Sequence, residues 1–533
     1  MSERRVTWQS VDYWAEKKPE AEALVTSSAR YSWAQTKQAV DRLASWLIGC
    51  GVKKGDRVAM MAPPCPEFIF VFMAANRIGA IWLGINPKMT VPEIRHLLDE
   101  AAPKVLIATR EFMGEDMREK IDACLDASPE FSRLLVIGEA FDGATSLDAA
   151  MAEEADTAAL DAIELDPDGD AIILFTSGST GKPKGVVHTH RSLVANVRVE
   201  CARFPVDESS RMLLHFPINH VAAVVEFGFA SVYGGACLVF MEGFDPNASL
   251  EMVERERVTL LGQIPAMFLL QFRTDRFAKT DLSSVRSFIW AGSPAPRLMV
   301  DVLGGIAQKT GADLMTGYGS TETCGFVTYT EPGDGTERLM RTAGAIADGW
   351  ELRIDIPEDA TGSAAAASNE PAIGEICVRG HFLFDRYWKN EAATRAVKTV
   401  DGWYRTSDTG FVDADGYLHI TGRQSEMYKS GGENIFPREV EEVIELHANV
   451  LMAAVVPVPD PVFQEVGWAF AMPKPGREVP EDELIAACRK NLANYKIPKR
   501  FIILPALPML PNGKIDKQAL RDKARDEVSE THG

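Results

Sequence analysis

Apolar residues recur first at helical spacing and then in short extended runs, and the two patterns alternate through roughly the first 420 residues. Over residues 36–51, Ala39, Leu43, Leu47 and Ile48 share one helix face, with Gly51 placed to cap its C-terminus. Gly55-Asp56 turns the chain into a strand, Arg57-Val-Ala-Met-Met. Residues 66–77 predict a helix and Ile81-Trp-Leu-Gly a strand. Residues 92–102 predict a second helix with its proline in the first turn, followed by the strand Lys104-Val-Leu-Ile-Ala. The rhythm returns at 251–255, Leu260–Gln263, 299–310 and 313–316. This alternation predicts an α/β fold of βαβ-type sheets with helices on both faces.

Near residue 413 the texture changes. Phe411-Val-Asp, the turn Asp415-Gly416 and Tyr417-Leu-His-Ile-Thr predict a β-hairpin ending at Gly422-Arg423. Pro437 then opens a helix that buries Val440, Val443 and Ile444. Residues 452–458, 468–472 and 501–504 predict strands. Residues 481–494 predict an amphipathic helix with Leu484, Ile485, Cys488 and Leu492 inward. The expected organisation is a large N-terminal domain, 1–423, and a small mobile α+β domain, 424–533, hinged near Gln424-Ser425. Residues 331–337 and 361–371 read as exposed connections.

The 533 residues include 76 acidic and 56 basic side chains, a formal charge of −20. A field of that sign repels nucleic acid and anionic membranes, so a phosphate-bearing ligand needs a local positive site. No run reaches the ~18 apolar residues of a membrane span. The first residues, Met-Ser-Glu-Arg-Arg-Val, lack the apolar core of a signal peptide, and Glu-Thr-His-Gly at the end carries no targeting address. Eight cysteines without a C-x-x-C pair suit a reducing compartment. A cytoplasmic protein is expected.

That local positive site follows the apolar run Ala171-Ile-Ile-Leu-Phe. Thr176-Ser-Gly-Ser-Thr-Gly-Lys-Pro-Lys-Gly185 supplies three glycines, four hydroxyls and two lysines. Glycines let backbone approach an anion, and hydroxyls and amides donate to phosphate oxygens. It is not a Walker A loop, because Thr176 stands at the first glycine and Pro183 follows Lys182. Further along, Met315-Thr-Gly-Tyr-Gly-Ser-Thr-Glu-Thr323 offers a ring for stacking, a hydroxyl for phosphate and a hard carboxylate. His188-Thr-His190 has no acidic or thiol neighbours in sequence to complete a metal site. Asp413-Ala-Asp415-Gly416 fails calcium-loop spacing, and no G-x-S-x-G elbow is present.

The loop at 176–185 resembles, almost letter for letter, the phosphate signature of the adenylate-forming superfamily: acyl-CoA synthetases, nonribosomal adenylation domains and firefly-type luciferases. Four further segments match in order and spacing, so the resemblance covers nearly the whole chain. It implies that Thr176, Ser177, Gly178, Ser179, Thr180, Gly181, Lys182 and Lys184 hold the ATP phosphates, with Ser293 and Gly319 also at the nucleotide. Tyr318 would stack on adenine, Thr321 bond phosphate and Glu322 hold Mg²⁺. Trp403-Tyr-Arg-Thr-Ser-Asp408 resembles the segment whose Asp takes both ribose hydroxyls, although Ser407 stands where the family usually has Gly. Arg423 would bond ribose or phosphate. Ser425 stands at the pivot, where the family commonly has Asp or Lys. Lys429-Ser430-Gly431-Gly432 would line a thiol tunnel. Leu510-Pro-Asn-Gly-Lys514 resembles the motif of the catalytic lysine.

The same resemblance implies a two-step ligase that adenylates an organic acid with Mg·ATP and passes the acyl group to coenzyme A. Lys499 and Arg500 are candidates for the coenzyme's phosphates. An acyl pocket is expected from Asn219, His220, Val221, Val224, Ala291, Gly292, Thr316 and Gly317. It suits a medium-chain, alicyclic or aryl acid, with His220 either a gate or packing under the adenylate. A free-standing adenylating enzyme that loads a separate carrier protein is the alternative. A silent nucleotide binder and a luciferase-type oxygenase share these motifs, and a homodimer is left open.

Overall fold

Two large sheets, a four-stranded antiparallel one and a two-stranded ribbon are built from residues before 424 in this computed structural model, and a further sheet from those after it. The structure describes residues 4–125, 133–176, 183–356, 372–424, 426–430, 433–510 and 514–531.

The first large sheet has a parallel centre: Asp313–Ser320, Ser287–Trp290, Leu260–Gln263, Arg211–Leu214, Cys237–Phe240 and Glu22–Val25 lie side by side. In the second, Asp170–Thr176, Ile81–Ile85, Arg57–Met61, Val105–Thr109 and Arg133–Ile137 are likewise parallel. The expected βαβ rhythm is thus the centre of both sheets, and antiparallel strands flank it. Lys184–Thr189 is one of these, pairing antiparallel with Asp170–Thr176. A short connection can join only antiparallel neighbours, whereas a parallel return needs a crossover.

The helix Pro66–Arg77 sits in the main core with every residue from Phe68 to Arg77 buried. Its start is set by Pro66 in the first turn, and it is apolar nearly all round, as a helix with no solvent face must be. Arg77, at its end, is 2% exposed and paired with Asp12, Asp41 and Asp161. The predicted helix over 36–51 is Trp33–Gly49, opened by a Ser32–Gln35 capping box. Cys50 is its C-cap, and Gly51 follows at φ 77°. Residues 331–337 are not wholly a loop, because the helix Thr336–Arg341 begins within them. Residues 361–371 lie outside the described residues.

The hairpin is longer than its sequence signal, running from Tyr404–Val412 to Leu418–Arg423 within a four-stranded sheet. After it, Tyr428–Ser430, Glu433–Ile435, Val450–Asp460, Gln464–Pro473 and Arg500–Ile503 form the small α+β domain's sheet. The helix Pro437–Glu445 buries Val440, Val443 and Ile444 as expected. Glu481–Asn491 ends earlier than predicted, and Asn494–Lys496 is a separate 3₁₀ turn. The closing helix Lys517–Thr531 was not expected. Leu520 and Ala524 are its buried apolar residues, too few for a readable stripe. No helix among the described residues is long and apolar enough to cross a membrane.

Candidate active site

The phosphate loop begins where its two strands pair, at Thr176 opposite Lys184. Ser177, Gly178, Ser179, Thr180, Gly181 and Lys182 lie outside the described residues. The Lys184 ammonium stands 5.2 Å from the centre of the Tyr387 ring. Tyr387 lies on the next strand, Arg386–Tyr387, and its hydroxyl donates to Glu322 Oε1 at 2.9 Å. One aromatic side chain therefore links the lysine of the phosphate loop to the predicted metal carboxylate. Sequence reasoning missed Tyr387, which is 65 residues from Glu322.

Thr321 and Glu322 sit on a turn held from behind. His188 is fully buried, and burial pushes its imidazole down to about 4, so the ring is neutral. Its Nε2–H donates to the Thr321 carbonyl at 2.7 Å. His188, rejected above as a metal ligand, is thereby a positioning residue for the turn. The Phe384 amide bonds the Glu322 carbonyl at 2.8 Å, and Thr323 Oγ1 bridges Ser320 and Gly325. The turn needs left-handed backbone at Cys324 and Gly325, with φ of 64° and 120°.

Gly319 lies across from it with no room to spare. A Cβ there would fall 2.0 Å from the Gly325 carbonyl oxygen. Gly319→Ala must pry the two strands apart, at a cost of about 3 kcal/mol. It is expected to lower the melting temperature and to reduce pyrophosphate release at least 10²-fold in the same preparation.

Tyr318 and Asp408 meet directly. The buried Tyr318 hydroxyl donates to Asp408 Oδ2 at 2.5 Å, and Arg423 Nε donates to Asp408 Oδ1 at 2.7 Å. Asp408 and Arg423 are cross-strand partners in the hairpin, which fixes their pairing before any tertiary contact. The negative charge of Asp408 holds the Arg423 pKa above its usual value. Ser407, where the resembled pattern has glycine, adopts φ 63°. That left-handed backbone is the physical reason for a glycine there.

The parallel strands place the acyl candidates. Gln263, Trp290 and Thr316 are in register at the C-terminal ends of adjoining strands, where open α/β sheets take their ligands. Thr316 Oγ1 is committed to the Trp290 carbonyl at 2.8 Å. Gly317 is half-buried, and Ala291, Gly292 and Ser293 follow Trp290 on the rim with Gly292 exposed. Asn219 is half-buried and His220 exposed, ahead of a π-helix, Ala222–Phe229. Val221 and Val224 are packed into the core at 5% and 0% exposure. Val224 therefore has no surface to offer an acyl group, against the expectation, whereas Phe216 and Glu226 nearby are half-buried. Although His220 keeps an open face, the protein packed around it, and then the Lys514 charge, push it down to about 4. The Ala222 amide donates to His220 Nδ1, so the proton of this neutral ring is on Nε2.

Lys514 comes from the other side. Met509 and Ile515 form a β-bridge, and Leu510 N–H bonds the Lys514 carbonyl at 2.8 Å. Lys517 pins the base of this turn to Glu426 and Glu441, at 2.6 and 2.9 Å. The Lys514 side chain keeps an open surface, yet burial and then Arg423 lower its pKa, while Asp408 and Glu426 oppose them. The charges of Arg423, Asp408 and Glu426 act on Lys514, and its own charge acts on His220, so these groups lie within electrostatic reach of one another. Ser425, Gly431 and Gly432 lie outside the described residues. Lys429 is exposed and Ser430 buried, on a strand that meets Gln464. Arg500 lies farther along the same edge of the Gln464–Pro473 strand, whose other edge pairs with Val450–Asp460, and is stacked over Trp468 and paired with Glu527. Lys499 stands over Phe463, 4.9 Å from the ring centre.

Comparison with known proteins matches this arrangement. The profile described as AMP-binding enzyme matches residues 11–388, and that of the AMP-binding enzyme C-terminal domain residues 439–514, ending at Lys514. The chain belongs to the AMP-binding enzyme family. It is an enzyme of the adenylate-forming ligase superfamily, in the acyl- and aryl-CoA synthetase branch. A long-chain-fatty-acid–CoA ligase of Mycobacterium tuberculosis is 34% identical over 512 residues, 95% of this chain and 96% of the relative. A feruloyl-CoA synthase of an Amycolatopsis species is 33% identical over 507 residues, covering 94% and 96%. The ATP-bound crystal structure of MatB from Rhodopseudomonas palustris superposes with a TM-score of 0.84 at 27% identity, covering 98% and 99%.

Among the described residues of this AMP-binding enzyme, no group of three or more His, Cys, Asp and Glu could hold a metal alone. Glu322 still fits Mg²⁺, which keeps water and phosphate oxygens and asks the protein for one or two carboxylates. Tyr387 orients that carboxylate through Oε1. Tyr387→Phe is expected to raise KM for Mg·ATP about fivefold with kcat little changed, as read by magnesium titration of pyrophosphate release.

Proposed function

We propose that this protein is an ATP-dependent carboxylate–CoA ligase acting on a medium-chain, alicyclic or aryl acid. The electrostatic reach of Lys514 to Asp408, Arg423 and His220 supports that reading. In the first step a carboxylate oxygen attacks the α-phosphorus of ATP, the bond to the β-phosphate oxygen breaks, and pyrophosphate leaves. Lys514 meets the negative charge shared by the carboxylate and the α-phosphate, while Lys182 and Lys184 hold pyrophosphate. Asp408, Tyr318 and Arg423 orient the nucleoside. Glu322 would hold Mg²⁺, which neutralises phosphate charge when bound. The protein's part is positioning and charge compensation.

In the second step the sulfur of coenzyme A attacks the acyl carbon, AMP leaves, and the thiol proton passes to solvent. The loop from Lys429 to Gly432 is the part of the small domain suited to guide that thiol. It cannot occupy the cleft while Lys514 does, so the small domain turns about Ser425 between the steps. Lys499 and Arg500 flank the strand next to that loop and are suited to the coenzyme's phosphates. The half-buried Phe216 and the largely apolar stretch from Val221 to Phe229 support an apolar acid.

The test is mass spectrometry of the products from Mg·ATP, coenzyme A and a panel of acids from acetate to long-chain and aryl. A thioester is expected with one acid class. AMP and acyl adenylate without thioester would transfer the activity to a carrier-protein thiol and refute the coenzyme A assignment.

A further inference from the structure

Lys398 is a half-buried lysine that the two-step reaction does not use. Its backbone is fixed from two sides. It caps the helix Glu391–Val397, where its amide donates to the Thr394 carbonyl at 2.9 Å. It also forms a β-bridge with Tyr404, at the head of the strand that carries Asp408. Its ammonium donates to two successive main-chain carbonyls, those of Phe384 and Asp385, each at 2.9 Å. Among the described residues Asp385 is the only acid whose charge acts on it, and that carboxylate is paired with Arg386 at 2.6 Å. A lysine that served only as surface charge would keep its ammonium in water. This one gives two of its three donors to the backbone of a single segment.

That segment holds Glu322. Phe384 is 0% exposed, and its amide donates to the Glu322 carbonyl at 2.8 Å. Its ring packs on that of Tyr387, 4.9 Å between centres, and the Tyr387 hydroxyl donates to Glu322 Oε1 at 2.9 Å. The main-chain and side-chain holds on Glu322 therefore meet at Phe384. Lys398 grips the same residue twice, through its carbonyl and with the ammonium 5.1 Å from its ring centre. The Asp385 and Trp388 amides donate to the Val187 and Gly185 carbonyls, at 2.8 and 2.7 Å, which fastens residues 384–388 to the strand behind the phosphate loop.

We propose that Lys398 is a positioning residue for the metal carboxylate: by holding Phe384 it sets both the backbone and the side chain of Glu322 for the Mg²⁺ of Mg·ATP. Partners that orient a metal ligand act on metal affinity and leave the rest of the nucleotide site alone.

The inference rests on the proposed reading for the metal role of Glu322, and nucleotide binding tests it before any acid or thiol enters. Calorimetry follows the binding of α,β-methylene-ATP, which cannot release pyrophosphate, over a series of magnesium concentrations. Lys398→Met should need about fivefold more Mg²⁺ for half-maximal binding, with its metal-free affinity unchanged. Lys398→Arg, whose guanidinium still offers several donors, should stay near the wild type. Lys398 lines a cleft of about 630 Å³ with Leu383, Phe384 and Asp385, so in Lys398→Ala a small amine can reach the two carbonyls. Propylammonium should restore the magnesium requirement of that variant, and 1-propanol should not. An unchanged requirement in both removal variants, an equal loss with and without metal, or recovery with neither Arg nor propylammonium would each overturn the proposal. So would removal variants that do not fold, because Lys398 would then be a residue of the fold alone. Glu322→Gln separates the two readings. If it shifts the requirement and Lys398→Met does not, the inference falls and the metal role stands; if Glu322→Gln shifts nothing, both fall.

Discussion

Lys514→Ala is expected to slow carboxylate-dependent pyrophosphate release by roughly 10²–10³-fold, the usual cost of one lost donor at developing charge. The melting temperature should barely move. Lys517, through Glu426 and Glu441, holds the loop in place, and the Lys514 side chain keeps an open surface. Thioester formation from a preformed acyl adenylate is the internal control, because the proposed second step relies on the loop from Lys429 to Gly432 and not on Lys514. That rate should fall by less than about tenfold. Wild-type pyrophosphate release by the variant would remove Lys514 from the chemistry. Equal loss in both half-reactions would mean that it supports the cleft in both arrangements.

The charge on Lys514 adds a pH signature. Its folded pKa lies below the ordinary lysine value of 10.5, through burial first and Arg423 second. The first step uses the cation, so kcat/KM for adenylation should be full below the lowered pKa and fall as pH rises through it. Lys514→Arg, whose guanidinium stays charged over that range, should lose this alkaline limb even if its maximum rate is lower. His220 contributes no limb near neutrality, being already uncharged above about 4.

Different physical signals made different parts of this molecule legible in its sequence. Pro66 and Pro437 opened helices where expected because proline suits a first turn and the apolar residues behind it kept a helical period. The π-helix Ala222–Phe229 gave no such signal, since a segment whose one polar side chain is Glu226 has too little alternation to show a period. The strand Lys184–Thr189 was hidden behind the phosphate loop, whose glycines and lysines dominate the local pattern. Asp408 and Arg423 could be named individually from their motifs, while their contact depended on the hairpin register. The support beneath the site was out of reach. His188 acts on Thr321 across 133 residues, and Asn196, from the helix His190–Arg203, donates to the Cys324 carbonyl. Such contacts arise only when the two sheets close over Pro66–Arg77.

Asp408→Ala should raise KM for ATP by about 10²-fold with a smaller change in kcat, because it removes a charged acceptor used for binding in both ground and transition states. The loss also reaches the apo fold, but unequally. Arg423 is 54% exposed at its side chain and can rehydrate. Tyr318 is 9% exposed, so its hydroxyl would be left buried without its acceptor, at about 1–3 kcal/mol. Tyr318→Phe removes that orphan while keeping the flat ring for adenine. The double variant Tyr318→Phe/Asp408→Ala should therefore be more stable than Asp408→Ala alone while binding ATP just as weakly. Stability and nucleotide affinity would then part company at one carboxylate, which a purely structural Asp408 cannot produce. A double variant that recovers ATP affinity along with stability would show that Asp408 acts only by holding Tyr318, and would withdraw the ribose from its role.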